Sequence, residues 1–215
     1  GYAEYVVVPK ENLVKIPQGL KLEEVCGLVM AGTTANHLVK RAKIKNNSTV
    51  LVTGATGGVG TTVIQILKSK KCQVICATSH KNKISLLKKI GVSKVVSTGN
   101  MISEIKKLYP QGLEYAIDLV GGSVWSDALE TLGKNGTIVF CATSKEEKGE
   151  INIGSVFSRE LNILGSYGGT IADLKEVLEM LKKGIVRPVL DSIYSLKDAA
   201  KVQQKMESQQ PNKTR

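Results

Sequence analysis

The chain has 215 residues, of which 42% are hydrophobic and 4% aromatic, and its formal net charge is +11. This length suits one large or two small domains, and the apolar fraction excludes a disordered chain. No run approaches the ~18 apolar residues of a membrane span, and four cysteines are too few for a disulfide scaffold. The first residues show no signal-peptide pattern, so we expect a cytoplasmic protein with no membrane partner.

The excess positive charge lies in residues 25–103, which hold twelve basic side chains and no Asp or Glu. The rest of the chain holds 18 basic and 19 acidic side chains. Such a stretch favours an anionic partner. It contains no aromatic residue for base stacking and only one arginine, so we expect no nucleic acid and interpret most of its lysines as solvated surface.

The first forty residues predict short elements. Residues 3–9 have the pattern of a strand, and residues 13–16 of a second extended piece. Residues 23–30 and 33–42 have helical patterns, which we expect to be broken at Gly32.

From residue 49 onward, strand patterns alternate with helix patterns. The β-branched run 49–53 is typical of a strand buried on both faces, and apolar residues at helical spacing follow it. The alternation continues with strands at 73–78, 94–97, 113–120 and 137–141 and helices at 82–90, 102–108 and 124–132. Strands and helices in this order predict an α/β fold with a doubly wound parallel sheet.

The last third of the chain predicts three further elements. A strand is expected at 162–165 and a helix with a clear apolar stripe at 171–183. Residues 195–198 resemble a capping box that begins a final helix.

A glycine-rich turn joins the first buried strand to its helix. Glycines recur at spacing three in Gly54-Ala-Thr-Gly57-Gly58-Val-Gly60. Glycines there let a diphosphate approach the main chain, and the free amides at the helix start bind its oxygens. We predict a dinucleotide site; the alternative is a merely tight turn. The predicted cofactor-binding residues of this turn are Gly54, Thr56, Gly57, Gly58, Val59 and Gly60.

The end of the next strand indicates which dinucleotide binds. NAD sites usually carry an acidic residue ~20 residues beyond the glycines. Here residues 77–83 include no Asp or Glu. Ser79 can instead donate a hydrogen bond to a 2′-phosphate, and Lys83 or Lys81 can neutralise the charge of that phosphate. We therefore predict NADPH as the cofactor.

Five segments carry a family resemblance. They occur in the order found in medium-chain dehydrogenase/reductases, and the glycine turn with Ser79 and Lys83 most resembles the zinc-independent, NADPH-using quinone oxidoreductase branch. The segments are residues 1–9, 30–35, 50–60, 118–122 and 161–166. The resemblance implies a Rossmann fold with a remnant of a GroES-like catalytic domain, and we expect the chain to be a piece of a longer protein.

The resemblance also implies a domain division and an assembly. Residues 1–20 would be the catalytic-domain remnant, 21–188 the NADP-binding Rossmann domain with its linking helix, and 189–215 the return segment. Relatives commonly dimerise through the edge strand that corresponds to residues 161–165, so a homodimer is expected.

Further site residues follow from the resemblance alone. Thr34 and Val59 would lie near the nicotinamide ring. Thr34 is the one polar candidate for a catalytic role; the alternative is that Thr34 is only a structural residue of its helix. The main chain around Cys141 and at Gly165, Ser166 and Tyr167 would hold the carboxamide and the ring edge.

No catalytic metal is expected. Zinc-dependent relatives carry Cys or an acid four residues before the threonine, where this chain has Met30, a poor zinc ligand. His37 and His80 lie at no paired ligand spacing with the cysteines. Cys72 and Cys76 flank a predicted strand and are interpreted as core thiols.

The predicted function is therefore zinc-independent hydride transfer from NADPH to a small-molecule quinone, enone or related carbonyl substrate. One alternative is a zinc-type alcohol dehydrogenase whose metal ligands lie upstream of this sequence. The other is a module that binds NADPH without chemistry of its own.

Overall fold

A computed structural model describes residues 2–79, 81–142 and 148–209. The chain divides into two compact units, one comprising residues 16–189 and the other its two ends, residues 1–15 and 190–215. No described helix is long and apolar enough to span a bilayer.

The larger unit is a six-stranded parallel sheet with helices between the strands. The strands are β1 (Thr49–Val52), β2 (Gln73–Thr78), β3 (Lys94–Ser97), β4 (Leu113–Asp118), β5 (Leu132–Phe140) and β6 (Asn162–Gly165). Its helices are α1 (Leu22–Val29), α2 (Ala31–Arg41), α3 (Gly58–Ser69), α4 (Ile84–Lys89), α5 (Met101–Leu108), α6 (Gly122–Glu130), α7 (Ile153–Arg159) and α8 (Ile171–Lys182). The order β3-β2-β1-β4-β5-β6 confirms the predicted doubly wound α/β fold.

The core of the sheet is aliphatic. Val50, Leu51 and Val52 of β1 are fully buried, as expected for a β-branched run covered by helices on both faces. Cys72 and Cys76 are buried free thiols, and burial raises the pKa of Cys76 to about 12. Their prediction as core residues is thereby confirmed.

Gly32 does not break a helix as predicted. The break falls at Met30, and Gly32 lies inside α2. A Cβ atom on Gly32 would approach Val177 Cγ1 to 2.8 Å. Gly32 therefore permits close packing of α2 on α8.

The predicted strand at residues 3–9 is wrong. Apart from a 3-10 turn at Lys10–Asn12, the described part of the first 21 residues has no helix or strand. Strand-forming side chains make a strand only when a neighbour takes up the main-chain hydrogen bonds, and none of the described strands pairs with this segment. The smaller unit otherwise contains a 3-10 turn at Leu196–Asp198 and α9 (Ala199–Gln209), where a final helix was predicted.

Two elements extend beyond the prediction. α7 was not predicted, because it is short and carries glycine and serine; the side chain of Asn152 caps it by accepting from the Ser155 amide at 2.9 Å. β5 begins at Leu132 rather than 137, although its first residues resemble a turn, and a shift in its register with β4 accommodates them.

Candidate functional site

The glycine-rich turn lies at the carboxyl end of β1. Strand order reverses between β1 and β4, and in such sheets ligands bind in the crevice beyond the strand ends at this point. Gly57 is the N-cap of α3, and no side-chain cap satisfies the first amides of that twelve-residue helix. Those free N–H groups and the helix dipole form an anion-binding position.

Gly60 sets how closely α3 approaches the turn. A Cβ atom on Gly60 would lie 2.5 Å from the Gly54 carbonyl oxygen and 2.7 Å from Ala55 Cα. Both neighbours are main chain and cannot move aside cheaply. Gly60 is therefore required for the packing that points the amides of α3 into the crevice.

Three cavities line the carboxyl edge of the sheet, and we call them A, B and C. Cavity A, of about 500 Å³, is formed by the glycine turn and the start of α2. Its lining residues are Met30, Thr34, Gly54, Gly57, Gly58, Val59, Gly60, Leu119, Cys141, Ala142, Tyr167 and Gly168.

Cavity B, of about 250 Å³, lies on the other side of Gly54. It is lined by Thr56, Ser79 and Lys83 among others, and none of its described lining residues is Asp or Glu. Ser79 directly follows β2, and Lys83 ends a 3-10 turn at Lys81–Lys83. The side chain of Lys81 lies outside the described set, as does His80.

Cavity C, of about 640 Å³, continues from cavity A past Cys141, Ala142 and Tyr167. It lies beyond the ends of β5 and β6 and beside α2. Its lining residues are His37, Arg41, Phe140, Cys141, Ala142, Gly165, Ser166 and Tyr167.

Each predicted site residue lines one of these cavities. Cavity B is lined by Thr56, Ser79 and Lys83, and cavity C by Gly165 and Ser166. The other predicted residues line cavity A. Gly54 is shared by cavities A and B, whereas Cys141 and Tyr167 are shared by cavities A and C. Thr34 is buried and its amide donates to the Met30 carbonyl at 3.0 Å, within the first turn of α2. Burial, and secondarily Asp118, raises the pKa of the Cys141 thiol, so that thiol stays protonated at neutral pH.

Asp118 was not predicted as a site residue. It is fully buried at the end of β4, where Thr53 Oγ1 donates to one carboxylate oxygen and the Gly121 amide to the other at 2.8 Å. Burial raises the pKa of Asp118, against the opposing effect of those hydrogen bonds. The residue fixes the turn that carries Leu119 into cavity A. A polar residue at a strand end, followed by Gly121 and Gly122, is the sequence signal for it.

A polar cluster joins α2 to α8 beside cavity C. Asp173 is buried; it accepts from His37 Nδ1 and forms an ion pair with Lys40 Nζ, each at 2.9 Å. Burial alone would raise the pKa of Asp173, but hydrogen bonds from Thr170, Lys40 and His37 together lower it. The Asp173 carboxylate is therefore ionised at neutral pH and holds α8 against α2. The capping-box pattern of Thr170 and Asp173 is visible in the sequence, but no local motif indicates the contact with His37, which lies 136 residues from Asp173.

The described residues do not fit a zinc centre. Residues 2–79, 81–142 and 148–209 contain no group of three or more His, Cys, Asp or Glu side chains placed to hold a metal ion. His37 is held by Asp173, and Met30 lines cavity A with a thioether. The free amides at the glycine turn, by contrast, fit a diphosphate.

The fold and the glycine turn define a dinucleotide-binding α/β class of protein. The chain belongs to the zinc-binding dehydrogenase family, whose model matches residues 58–183. The predicted resemblance to medium-chain dehydrogenase/reductases and their quinone oxidoreductase-like branch is thereby confirmed.

Three similar proteins illustrate the family. Prostaglandin reductase-3 of Bos taurus is 33% identical over 141 residues, which is 64% of this chain and 37% of that protein. Quinone oxidoreductase-like protein 2 of Rattus norvegicus is 27% identical over 208 residues, which is 90% of this chain and 59% of that protein. The crystal structure of an NAD-dependent alcohol dehydrogenase superposes with a TM-score of 0.86 at 27% identity, covering 97% of this chain and 62% of that one. The chain thus spans less than two thirds of each.

Proposed function

We propose that the protein containing this chain is a zinc-independent, NADPH-dependent reductase of quinones, enones or related carbonyl compounds. The observation that carries the proposal is cavity B, where Ser79 and Lys83 lie beside the glycine turn and no described lining residue is acidic. The names of the bovine and rat relatives, a prostaglandin reductase and a quinone oxidoreductase-like protein, support the reaction class. When bound, NADPH would supply the hydride.

The protein's own residues position the cofactor and shield the reacting atoms from water. The free amides at Gly58, Val59 and Gly60 would bind the diphosphate, with Gly54, Thr56 and Gly57 shaping the turn. In cavity A, Thr34, Val59 and Cys141 would surround the nicotinamide, and the main chain of residues 165–167 would hold its carboxamide. Thr34 is the polar side chain that is our candidate for a catalytic role. Filling these cavities excludes water from the reacting atoms.

The choice of NADPH rests on charge. A 2′-phosphate carries negative charge that a hydroxyl lacks, so a lysine in cavity B favours NADPH, whereas an acidic residue would favour NADH. One similar structure is that of an NAD-dependent alcohol dehydrogenase, so the test of this choice compares both cofactors.

Fluorescence titration with NADPH and NADH tests the choice. We expect the intact protein to bind NADPH at least ~10-fold more tightly than NADH, because charge-assisted hydrogen bonds contribute about 1.5–3 kcal/mol. Lys83→Glu should weaken NADPH binding by ~10-fold or more and leave NADH binding within about twofold. The control Lys94→Glu makes the same charge change on an exposed residue at the start of β3, at the opposite edge of the sheet, and should alter neither affinity. Equal binding of both cofactors by the unaltered protein, or unchanged NADPH affinity in Lys83→Glu, would refute the proposal.

The family's name favours a second candidate, a zinc-type alcohol dehydrogenase whose ligands lie outside the described residues. Metal analysis of the intact protein and activity with and without a chelator separate the two. We expect no stoichiometric zinc and full activity after chelation, because Met30 stands where a ligand would be needed. Bound zinc, with activity lost on its removal, would establish the alternative.

We also propose a cytoplasmic homodimer. All four cysteines are free, which suits a reducing compartment. β6 ends the described sheet, and an edge strand left open invites pairing with another chain. A mass by light scattering equal to one chain would refute the dimer.

A further inference from the structure

Cavity C holds a cationic group that the proposed hydride transfer does not use. Arg41, on the last turn of α2, lines the cavity. Its Nε donates to the Gly165 carbonyl oxygen, which anchors the guanidinium at the end of β6. Among the described residues, its two terminal nitrogens have no hydrogen-bond or ion-pair partner. Such a pair of donors matches the two oxygens of a carboxylate or a phosphate.

Two further side chains make this a shaped polar site. Ser166 also lines cavity C, and its hydroxyl oxygen is buried without a hydrogen-bond partner in the described part of the chain. A buried hydroxyl without a partner is costly, and a ligand oxygen would satisfy it. His37 forms an adjoining wall; because the ionised Asp173 can only accept, Nδ1 of His37 carries the proton and the ring is held in place.

The charge balance of cavity C favours an anion. Its described lining contains no Asp or Glu. The nearest carboxylate in the adjoining cluster, Asp173, is offset by Lys40 at 2.9 Å, and Glu176 pairs with the same lysine at 2.8 Å. One lysine balances only one of these two carboxylates, but neither carboxylate lines cavity C, and no described acidic side chain pairs with Arg41.

We propose that cavity C is a subsite for an anionic group of the substrate, a carboxylate or a phosphate, which Arg41 and Ser166 bind. The inference rests on the proposed function, since it places the hydride-accepting carbon in cavity A, which connects to cavity C past Cys141 and Tyr167. The substrate class is thereby narrowed to enones or related carbonyl compounds that carry an anionic group at the end remote from the reacting carbon.

Kinetics with a matched pair of substrates tests the subsite in the intact protein. The pair is 7-oxooct-5-enoate, whose carboxylate lies three methylene groups from the enone, and its neutral methyl ester, each reduced with NADPH. We expect a higher kcat/KM for the acid, and Arg41→Gln should lower that value by ~10-fold or more while leaving the ester within about twofold. Arg41→Lys, which keeps the charge, should restore part of the preference. The control Lys45→Gln removes one charge from an exposed residue outside the cavities and should leave kcat/KM unchanged for both substrates. Equal loss for acid and ester, or no loss, would overturn the inference.

A binding measurement separates failure of the subsite from failure of the proposed function. Calorimetric titration of the cofactor-free protein with succinate and with inorganic phosphate requires no turnover. We expect one of the two anions to bind, which identifies the preferred group, and Arg41→Gln to weaken it by ~10-fold or more. Binding without turnover of either substrate would retain the anion site and refute the reductase. If neither anion binds, or if Arg41→Gln binds them as the unaltered protein does, the subsite is refuted.

Discussion

At the scale of single residues, Gly60 links packing to ligand binding. Its missing side chain lets the start of α3 approach the main chain of Gly54 and Ala55, and the same approach orients the helix amides toward cavity A. A methyl group at this position meets main-chain atoms closer than real Cβ contacts allow. The strand-to-helix turn therefore has to shift if residue 60 is anything but glycine.

Gly60→Ala should lower the free energy of unfolding by about 1–3 kcal/mol and weaken dinucleotide binding, because overpacking displaces the turn. Urea unfolding and fluorescence titration measure the two effects. The control Gly99→Ala places its methyl group where no atom lies within 4 Å, and it should alter neither quantity. Wild-type stability and affinity in Gly60→Ala would show that the turn tolerates a side chain and that close packing at residue 60 does not position the amides.

Individual site residues differ in how far the sequence predicts them. Gly57, Ser79 and Lys83 follow from a glycine turn after a buried strand and from the missing acid beyond it, and they line adjoining cavities. Arg41 and Asp173 could not be predicted. Their significance depends on a main-chain oxygen or a side chain more than 120 residues away, and local patterns contain no such information.

At the scale of elements, the polar contact between α2 and α8 positions the wall of cavity C. Thr170 and Asp173 form a capping box at the start of α8: the Asp173 amide donates to Thr170 Oγ1 at 3.1 Å, and the Thr170 amide donates to Asp173 at 2.9 Å. The same carboxylate accepts a hydrogen bond from His37 and forms an ion pair with Lys40, both on α2. One buried acid thus both begins α8 and docks it on α2.

Asp173→Asn should destabilise the protein by about 2 kcal/mol at pH 7, since it weakens a helix cap and leaves a buried site without its charge. The effect depends on pH because the pKa of Asp173 in the folded protein lies below its ordinary value of 3.8. The stabilisation is complete above pH 3.8 and declines as the pH falls below it, so the wild-type advantage should be smaller at pH 3 than at pH 7.

Urea unfolding at the two pH values checks this prediction. The control Asp191→Asn neutralises an acid whose side chain is 88% exposed, and it should have little effect at either pH. An Asp173→Asn cost that is equal at pH 7 and pH 3 would show that the stabilisation does not come from the carboxylate charge.

Most strands and helices of the larger unit could be predicted from hydrophobic spacing, because β1 and β2 are buried on both faces and the helices between strands are amphipathic. The exceptions have physical reasons. Residues 3–9 have strand-forming side chains but no pairing strand in the described structure, and α7 depends on a cap rather than on an apolar stripe. Gly32 supports close helix packing, which a single sequence does not distinguish from a helix break.

At the scale of the whole molecule, strand order gathers the functional residues. Segments that follow β1, β2, β5 and β6 meet at one edge of the sheet because all six strands are parallel. Cavities B, A and C therefore lie in sequence along that edge, joined first at Gly54 and then at Cys141 and Tyr167. This arrangement gives an extended ligand three chemically different environments: a cationic site, a glycine-lined site with free amides, and the proposed anion subsite.

A crystal structure of the intact protein soaked with NADPH tests the central proposal most directly. We expect the diphosphate against the amides of residues 58–60, the 2′-phosphate within hydrogen-bond distance of Ser79 and Lys83, and the nicotinamide in cavity A near Thr34. A crevice that stays empty at saturating NADPH, or one occupied by the protein's own side chains, would contradict it.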